Sequence, residues 1–194
     1  MSRKKVAILI SGRGSNMAAL IEAARAPDYP AEIVGVLSNR AAAPGLETAA
    51  AHGIATASLA QSRFPSRDMF EDTMTQVLES WEVDYICLAG FMRILGADFV
   101  NRWLGRMINI HPSLLPAYRG LHTHERALAD GVAEHGCTVH FVTPGLDEGP
   151  AILQARVPVL PGDTPDSLSA RILVEEHRIY PEALRLLASG EARL

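Results

Sequence analysis

Cysteine is nearly absent from this 194-residue chain, which holds only Cys87 and Cys137. They sit in two strand-like runs, "DYICLAG" and "HGCTVHF", and nothing around them resembles a CxxC or zinc spacing. Both read as reduced core thiols of a cytoplasmic protein. A basic excess is also missing. The formal net charge is −4 and charged residues make up 21%. That balance argues against a nucleic-acid or membrane-surface protein held by bulk charge, while single phosphate sites stay open. No apolar run approaches the length of a transmembrane helix. "MSRKKVAILI" starts basic, but its apolar run is short and lacks a signal-like cleavage site. It reads as a first strand. Repeats, low-complexity tracts and linkers are lacking too, and the length fits one domain, residues 1–194.

What is present is a sizeable apolar fraction, 48%, arranged in a strand–helix rhythm. "KVAILIS", "EIVGVLS", "IATASL" and "DYICLAG" read as strands, and the last is apolar throughout, as a strand buried on both faces must be. Between them "NMAALIEAARA", "GLETAAAHG" and "SRDMFEDTMTQVLESWE" read as helices. In the last of these Phe70, Met74, Val77, Leu78 and Trp81 fall near helical spacing. The alternation predicts an α/β fold with a doubly wound, mostly parallel sheet. "CTVHFVT" and "AILQARVPV", separated only by "PGLDEG", predict an antiparallel C-terminal strand pair. A long C-terminal helix is expected from Thr164 as N-cap and Pro165 at its first position to about Leu187, with a kink at Pro181.

Ligands of open parallel sheets gather outside the carboxyl ends of the strands. Three unusual loops follow strands here: "SGRGSN", "GFMRILG" and "HPSLLPAYRGLHTH", and "PGLDEGP" could reach the same rim. "ILISGRGSNMAAL" places small residues between a strand and a helix, so free backbone N–H groups and the helix dipole favour an anion, with Ser15 and Asn16 as further donors. It is neither GxxxxGK[ST] nor GxGxxG, because Met17 stands where the third glycine would fall. A single phosphate is favoured over a dinucleotide. A tight turn with an N-cap is the plainer reading.

"RMINIHPSLLP" is a buried strand ending on two polar groups. Successive side chains alternate between faces, so Asn109 and His111 share one face, roughly 7 Å apart. Such groups are costly on so apolar a strand unless something uses them. Histidine can act as a base or, protonated, as an electrostatic stabiliser, and an asparagine amide can donate to an oxyanion. Asp147 and Glu148 in "GLDEGP" read as ordinary loop acids unless Asp147 lies near His111. His122 and His124 in "LHTH" raise a metal reading, but no cysteine or acid stands at a supporting spacing, and no metal is expected. His140 reads as a core or cleft-lining residue, and His52, His135 and His177 as surface or local structural histidines. Ser113 lacks the GxSxG setting of a serine nucleophile.

Taken together and in order, "ISGRGSN", "LAGFMRIL", "INIHPSLLP", "GLHTH", "HGCTVHFV" and "LDEGPAILQ" resemble the folate-dependent formyltransferases, from about Val6 to Pro181. "NIHPSLLP" is shared across that family, and the glycine-rich "SGRGSN" resembles its glycinamide ribonucleotide branch. The resemblance implies a catalytic trio of Asn109, His111 and Asp147. It implies ribonucleotide contacts at Gly14, Ser15, Asn16 and Glu176. It implies folate contacts at Arg67, at Met92, Arg93, Ile94 and Leu95, at Asn109, and along the loop Thr143, Pro144, Gly145, Leu146 and Asp147. Residues 1–100 would then form a phosphate-binding half and residues 101–194 a catalytic and folate-binding half. Two departures stand out: Arg13 where relatives often carry asparagine, and Ala117 where a basic residue is common before the tyrosine.

The implied reaction is formyl transfer from 10-formyltetrahydrofolate, a co-substrate, to the primary amine of a glycinamide ribonucleotide. The Asn109 amide and a protonated His111 would face the developing oxyanion, a carboxylate such as Asp147 would favour the charged ring, and no metal is needed. The expected partners are these small molecules, with no nucleic acid and no membrane, and the chain is expected to be a monomer or homodimer. The alternatives are a formyltetrahydrofolate hydrolase, which would carry an extra regulatory domain, and a methionyl-tRNA formyltransferase, which would carry an RNA-binding domain and a basic surface. A nucleotide-binding module without catalysis is a further alternative.

Overall fold

The computed structural model describes residues 2–194. Its strands are β1 (Lys4–Ile10), β2 (Ala31–Ser38), β3 (Ala55–Ser58), β4 (Tyr85–Leu88), β5 (Met107–His111), β6 (Glu134–Phe141) and β7 (Ala151–Pro158). They form one sheet in the order β3-β2-β1-β4-β5-β6-β7. Pairing is parallel from β3 to β5 and antiparallel between β5, β6 and β7. The helices are α1 (Ser15–Ala23), α2 (Pro44–Ala51), α3 (Arg67–Ser80), α4 (Ala97–Arg102), α5 (Thr123–Ala129) and α6 (Pro165–Ala188). The sequence rhythm contains these elements, with "HERALADG" reading as the short helix α5, except for α4, whose six residues are too short to display a helical period.

Both faces of the sheet are covered, as a parallel sheet requires. Along β1, Val6, Ile8 and Ile10 enter a core with α1, α2 and α6, while Ala7 and Leu9 enter a second core with α3 and α4. On α3, Phe70, Met74 and Leu78 are buried, and Val77 and Trp81 pack half-buried at the edge. Trp81 packs against β2 at Gly35, where a Cβ would stand 2.1 Å from its ring. Only glycine admits that approach. Cys87 and Cys137 are buried and unbridged, and burial pushes both thiols up to about 12.

The start of α6 follows its sequence. Thr164 Oγ1 accepts the Ser167 N–H (3.2 Å), and Ser167 Oγ accepts the Thr164 N–H (2.9 Å). Arg171 grips Asp163 with two hydrogen bonds (2.8 and 2.9 Å), holding that carboxyl well below its usual range. The helix continues through Pro181, whose carbonyl accepts a hydrogen bond from Tyr29 Oη at 2.7 Å. No helix of the described residues is long and apolar enough to cross a membrane.

From β1 the chain winds outward to β3, then returns to β4 on the other side of β1. The loops after β1 and β4 therefore part at a topological switch point, where open sheets bind ligands.

Candidate active site

Asn109 and His111 do share a face of β5, the one on which Met107 enters the α3–α4 core. Toward the strand's carboxyl end this layer thins into a cleft of about 170 Å³. Arg93, Ile94, Leu95, Asn109, Thr143, Pro144, Gly145, Leu146 and Asp147 line it, together with His140 and the apolar Leu88, Phe91, Val100 and Val142. A larger hollow of about 500 Å³ lies at the opposite, amino ends of the strands, around Arg3, Glu32 and Ile54, away from all of these groups.

The polar groups of the cleft form a closed set of contacts. His111 is 6% exposed, and its Nε2–H donates to the Tyr118 carbonyl at 2.9 Å. Its Nδ1 faces Asp147 Oδ2 at 3.5 Å, longer than a well-formed hydrogen bond. Asp147 Oδ2 also accepts the Gly120 N–H at 2.9 Å. Asp147 has φ +51, a left-handed conformation that aspartate tolerates better than most side chains. That turn is what brings its carboxylate to His111.

His140 is the member that sequence reasoning left without a role. It stands directly across the antiparallel ladder from Asn109. His140 Nδ1–H donates to the Phe141 carbonyl (2.8 Å), which leaves Nε2 as an acceptor for Asn109 Nδ2 at 3.3 Å. Burial lowers the His140 pKa, so its ring is neutral near pH 7, and its 3.8 Å approach to Asp147 is not an ion pair. Only the strand register could have revealed this contact.

The glycine-rich loop is also built as expected, with one difference. Gly14 is the N-cap of α1 at φ +71, no side chain caps the helix, and the first-turn N–H groups open outward. Arg13 and Ser15 are exposed beside it. The Asn16 side chain, expected to serve the anion directly, instead donates from Nδ2 to Glu176 Oε2 at 2.7 Å. Its Oδ1 has no hydrogen-bond partner among the described residues. A Cβ at Gly14 would stand 3.1 Å from Met17 Cε, and a left-handed β-branched residue is strained by more than about 1–2 kcal/mol. Gly14→Val is therefore expected to weaken binding of a phosphate-bearing ligand at this loop while leaving ligand binding in the cleft nearly unchanged. Calorimetry with each ligand checks this, and equal losses for both would indicate general misfolding.

Glu176 is buried at 8% exposure, and desolvation raises its pKa, partly countered by the Asn16 hydrogen bond. A carboxyl whose folded pKa lies above its unfolded value of 4.5 stabilises the fold fully below that value. The contribution is lost as pH rises through the folded pKa. Glu176→Gln is therefore expected to raise thermal stability relative to the parent at neutral pH, with the difference vanishing in acid. Affinity for a phosphate-bearing ligand at the neighbouring loop should fall at the same time. Melting curves across pH, paired with ligand titration, measure both.

A hydrogen-bonded relay joins the two loops. Ser11 Oγ donates to Asn39 Oδ1 (2.5 Å) and accepts the Met92 N–H (2.8 Å). The glycine-rich loop and the 92–95 segment are thus tied to one buried hydroxyl. Met92 itself is exposed and does not line the cleft. Nor does Arg67, whose guanidinium lies 3.9 Å from Glu71. Buried Glu71 accepts the Gly96 N–H at 2.7 Å, which places Arg67 beside the same segment. His135, read as a surface or local structural histidine, is 1% exposed and packs edge-on against His124 and Tyr118, a structural place. His122 is exposed at the start of α5. No group of three or more histidine, cysteine or carboxylate side chains suited to a metal occurs among the described residues.

Residues 4–184 match the formyl transferase family. The chain is 53% identical over 193 residues to a trifunctional purine biosynthetic protein adenosine-3 of Drosophila pseudoobscura pseudoobscura, covering 98% of this chain but only 14% of that protein. It is 47% identical over 189 residues to a phosphoribosylglycinamide formyltransferase of Escherichia coli, covering 97% and 89% of the two chains. A crystal structure of phosphoribosylglycinamide formyltransferase from Brucella melitensis superposes with a TM-score of 0.94 at 53% identity, covering 97% of each chain.

Proposed function

The chain belongs to the formyl transferase family, and from that premise we propose that it transfers the formyl group of 10-formyltetrahydrofolate to the amine of 5′-phosphoribosylglycinamide, in the cytoplasm, as a step of purine biosynthesis. The observation that carries the reading is the convergence of Asn109, His140 and Asp147 on one cleft, with buried His111 reaching it through Asp147, together with an uncapped glycine-rich loop at the start of α1. In this reading the first hundred residues lend Arg67 and the 92–95 segment to the folate, and the remainder lends Glu176 to the ribonucleotide.

The amine nitrogen attacks the formyl carbon, forming the new C–N bond while negative charge gathers on the formyl oxygen. Collapse breaks the bond to the folate nitrogen, which takes up a proton as the amine gives one up. Asn109 Nδ2–H and the His111 Nδ1 edge are held only by contacts of 3.3 and 3.5 Å, so both can turn to the oxyanion at small cost. Asp147 accepts the amine proton, directly or through water. The apolar walls at Leu88, Ile94, Leu95, Val100 and Val142 suit a flat heterocycle and exclude water around the reacting atoms. The N–H groups of Gly14 to Asn16 take the phosphate.

The deciding assay follows formyl transfer from a 10-formylfolate to the ribonucleotide, with water alone and charged initiator tRNA as the other acceptors. Product should require both the free amine and the 5′-phosphate. Formate release without the amine, or efficient formylation of the tRNA, would overturn the reading.

A further inference from the structure

The loop from Pro112 to His122, between β5 and α5, is tied from every side. Ser113 Oγ donates to the Ala117 carbonyl (2.6 Å) and Thr123 Oγ1 to the Pro112 carbonyl (2.8 Å). From β6, Thr138 Oγ1 donates to the Ser113 carbonyl (2.7 Å) and accepts the Leu115 N–H (3.1 Å). From β7, Gln154 donates to the Leu115 carbonyl (2.8 Å), and from α5, Arg126 donates to the Arg119 carbonyl (2.7 Å). Ser113 and Thr138 are fully buried, so water does not compete for their bonds.

Within this loop Tyr118 has φ +53, which is unfavourable for a residue with a large side chain. Such a conformation persists only where its surroundings over-determine it. Tyr118 Oη donates to Asp130 (2.9 Å), its ring meets His135 edge-on at 5.7 Å, and the Arg126 guanidinium lies over the ring at 5.3 Å. The side chain does not line the cleft. What the turn delivers to the site is a single carbonyl, 2.9 Å from His111 Nε2.

We propose that Tyr118 is a positioning residue: its anchored, left-handed backbone holds the carbonyl that fixes His111 as the Nε2–H tautomer with Nδ1 directed at Asp147. The proposal rests on the formyl-transfer reading. A carbonyl can only accept, so the nitrogen facing it must carry hydrogen. Nδ1 is then the one nitrogen left to take up a proton, and as Nδ1–H it donates to the carboxylate or to the oxyanion. Without the anchor the imidazole can turn over, and the fraction presenting Nδ1 falls.

Three variants test this. Tyr118→Ala removes all three anchors, and Tyr118→Gly does so while accepting a positive φ, so it folds even where the alanine variant does not. In both, kcat is expected to fall about tenfold with KM for either substrate changed less than about twofold. Tyr118→Phe keeps the ring against His135 and Arg126 and should restore most of the activity. Nitrogen-15 spectra of the His111 ring in alkaline buffer should report one tautomer in the parent and in Tyr118→Phe, and a mixture in the other two. Parent-like kcat in a folded alanine or glycine variant, or a lowered kcat with an unchanged tautomer signature, would overturn the proposal. A parent that transfers no formyl group would instead strike the functional reading, and the tautomer comparison would still decide the role of Tyr118.

Discussion

Changing His111 to alanine is expected to lower kcat by about 100- to 1000-fold, the usual cost of one preorganised oxyanion donor. Ribonucleotide binding should hardly change, because the phosphate loop touches His111 through no hydrogen bond and sits on another strand end. The ring meets only Tyr118 and Asp147, and both keep other partners after its loss: Asp147 retains the Gly120 N–H, and Tyr118 retains Asp130. The variant should therefore remain folded, so that a rate loss reports on chemistry. Steady-state rates at saturating substrates, with calorimetry of the ribonucleotide, measure the two effects separately. Turnover near that of the parent would remove His111 from the mechanism.

The features that were legible in the sequence are those that depend on local period. The two-residue repeat of β5 placed Asn109 and His111 on one face before any tertiary contact was known, and the helical spacing in α3 marked Phe70, Met74 and Leu78 as core. The glycine-rich turn likewise followed from its position between a strand and a helix, with Gly14 left-handed at the helix start. Contacts set by pairing were not legible. His140 meets Asn109 because β5 and β6 run antiparallel in one particular register, and a single-residue slip would turn it to the other face. Asn16 meets Glu176 across 160 residues of chain, and Ser11 meets Met92 across 81. For His135 the sequence leaves surface and structural places both open, for the same reason. At the start of β6 its neighbours in sequence are Glu134 and Gly136, while its neighbours in space are the rings of His124 and Tyr118. Burial, with the nearby rings of His124 and His111, pushes its pKa down to about 4.

Asp147→Asn is expected to lower kcat by about 100- to 10,000-fold, the range spanned by positioned general acids and bases. Asparagine accepts the same left-handed backbone at φ +51 and can still accept the Gly120 N–H, so the loop keeps its shape. What is lost is the negative charge 3.5 Å from His111 Nδ1 and the capacity to take a proton from the attacking amine. Asp147→Ala would also abandon the Gly120 N–H and is expected to destabilise the loop, which makes it the less informative change. The decisive comparison is the double variant with His111→Ala. If the carboxylate works through the ring, the second substitution adds little once the first is made, as in groups that act as a unit. If it acts as an independent base, the two losses multiply. Rates for the parent, both single variants and the double variant distinguish these cases. Unchanged turnover in Asp147→Asn would make it an ordinary loop acid, with the chemistry left to Asn109 and His111.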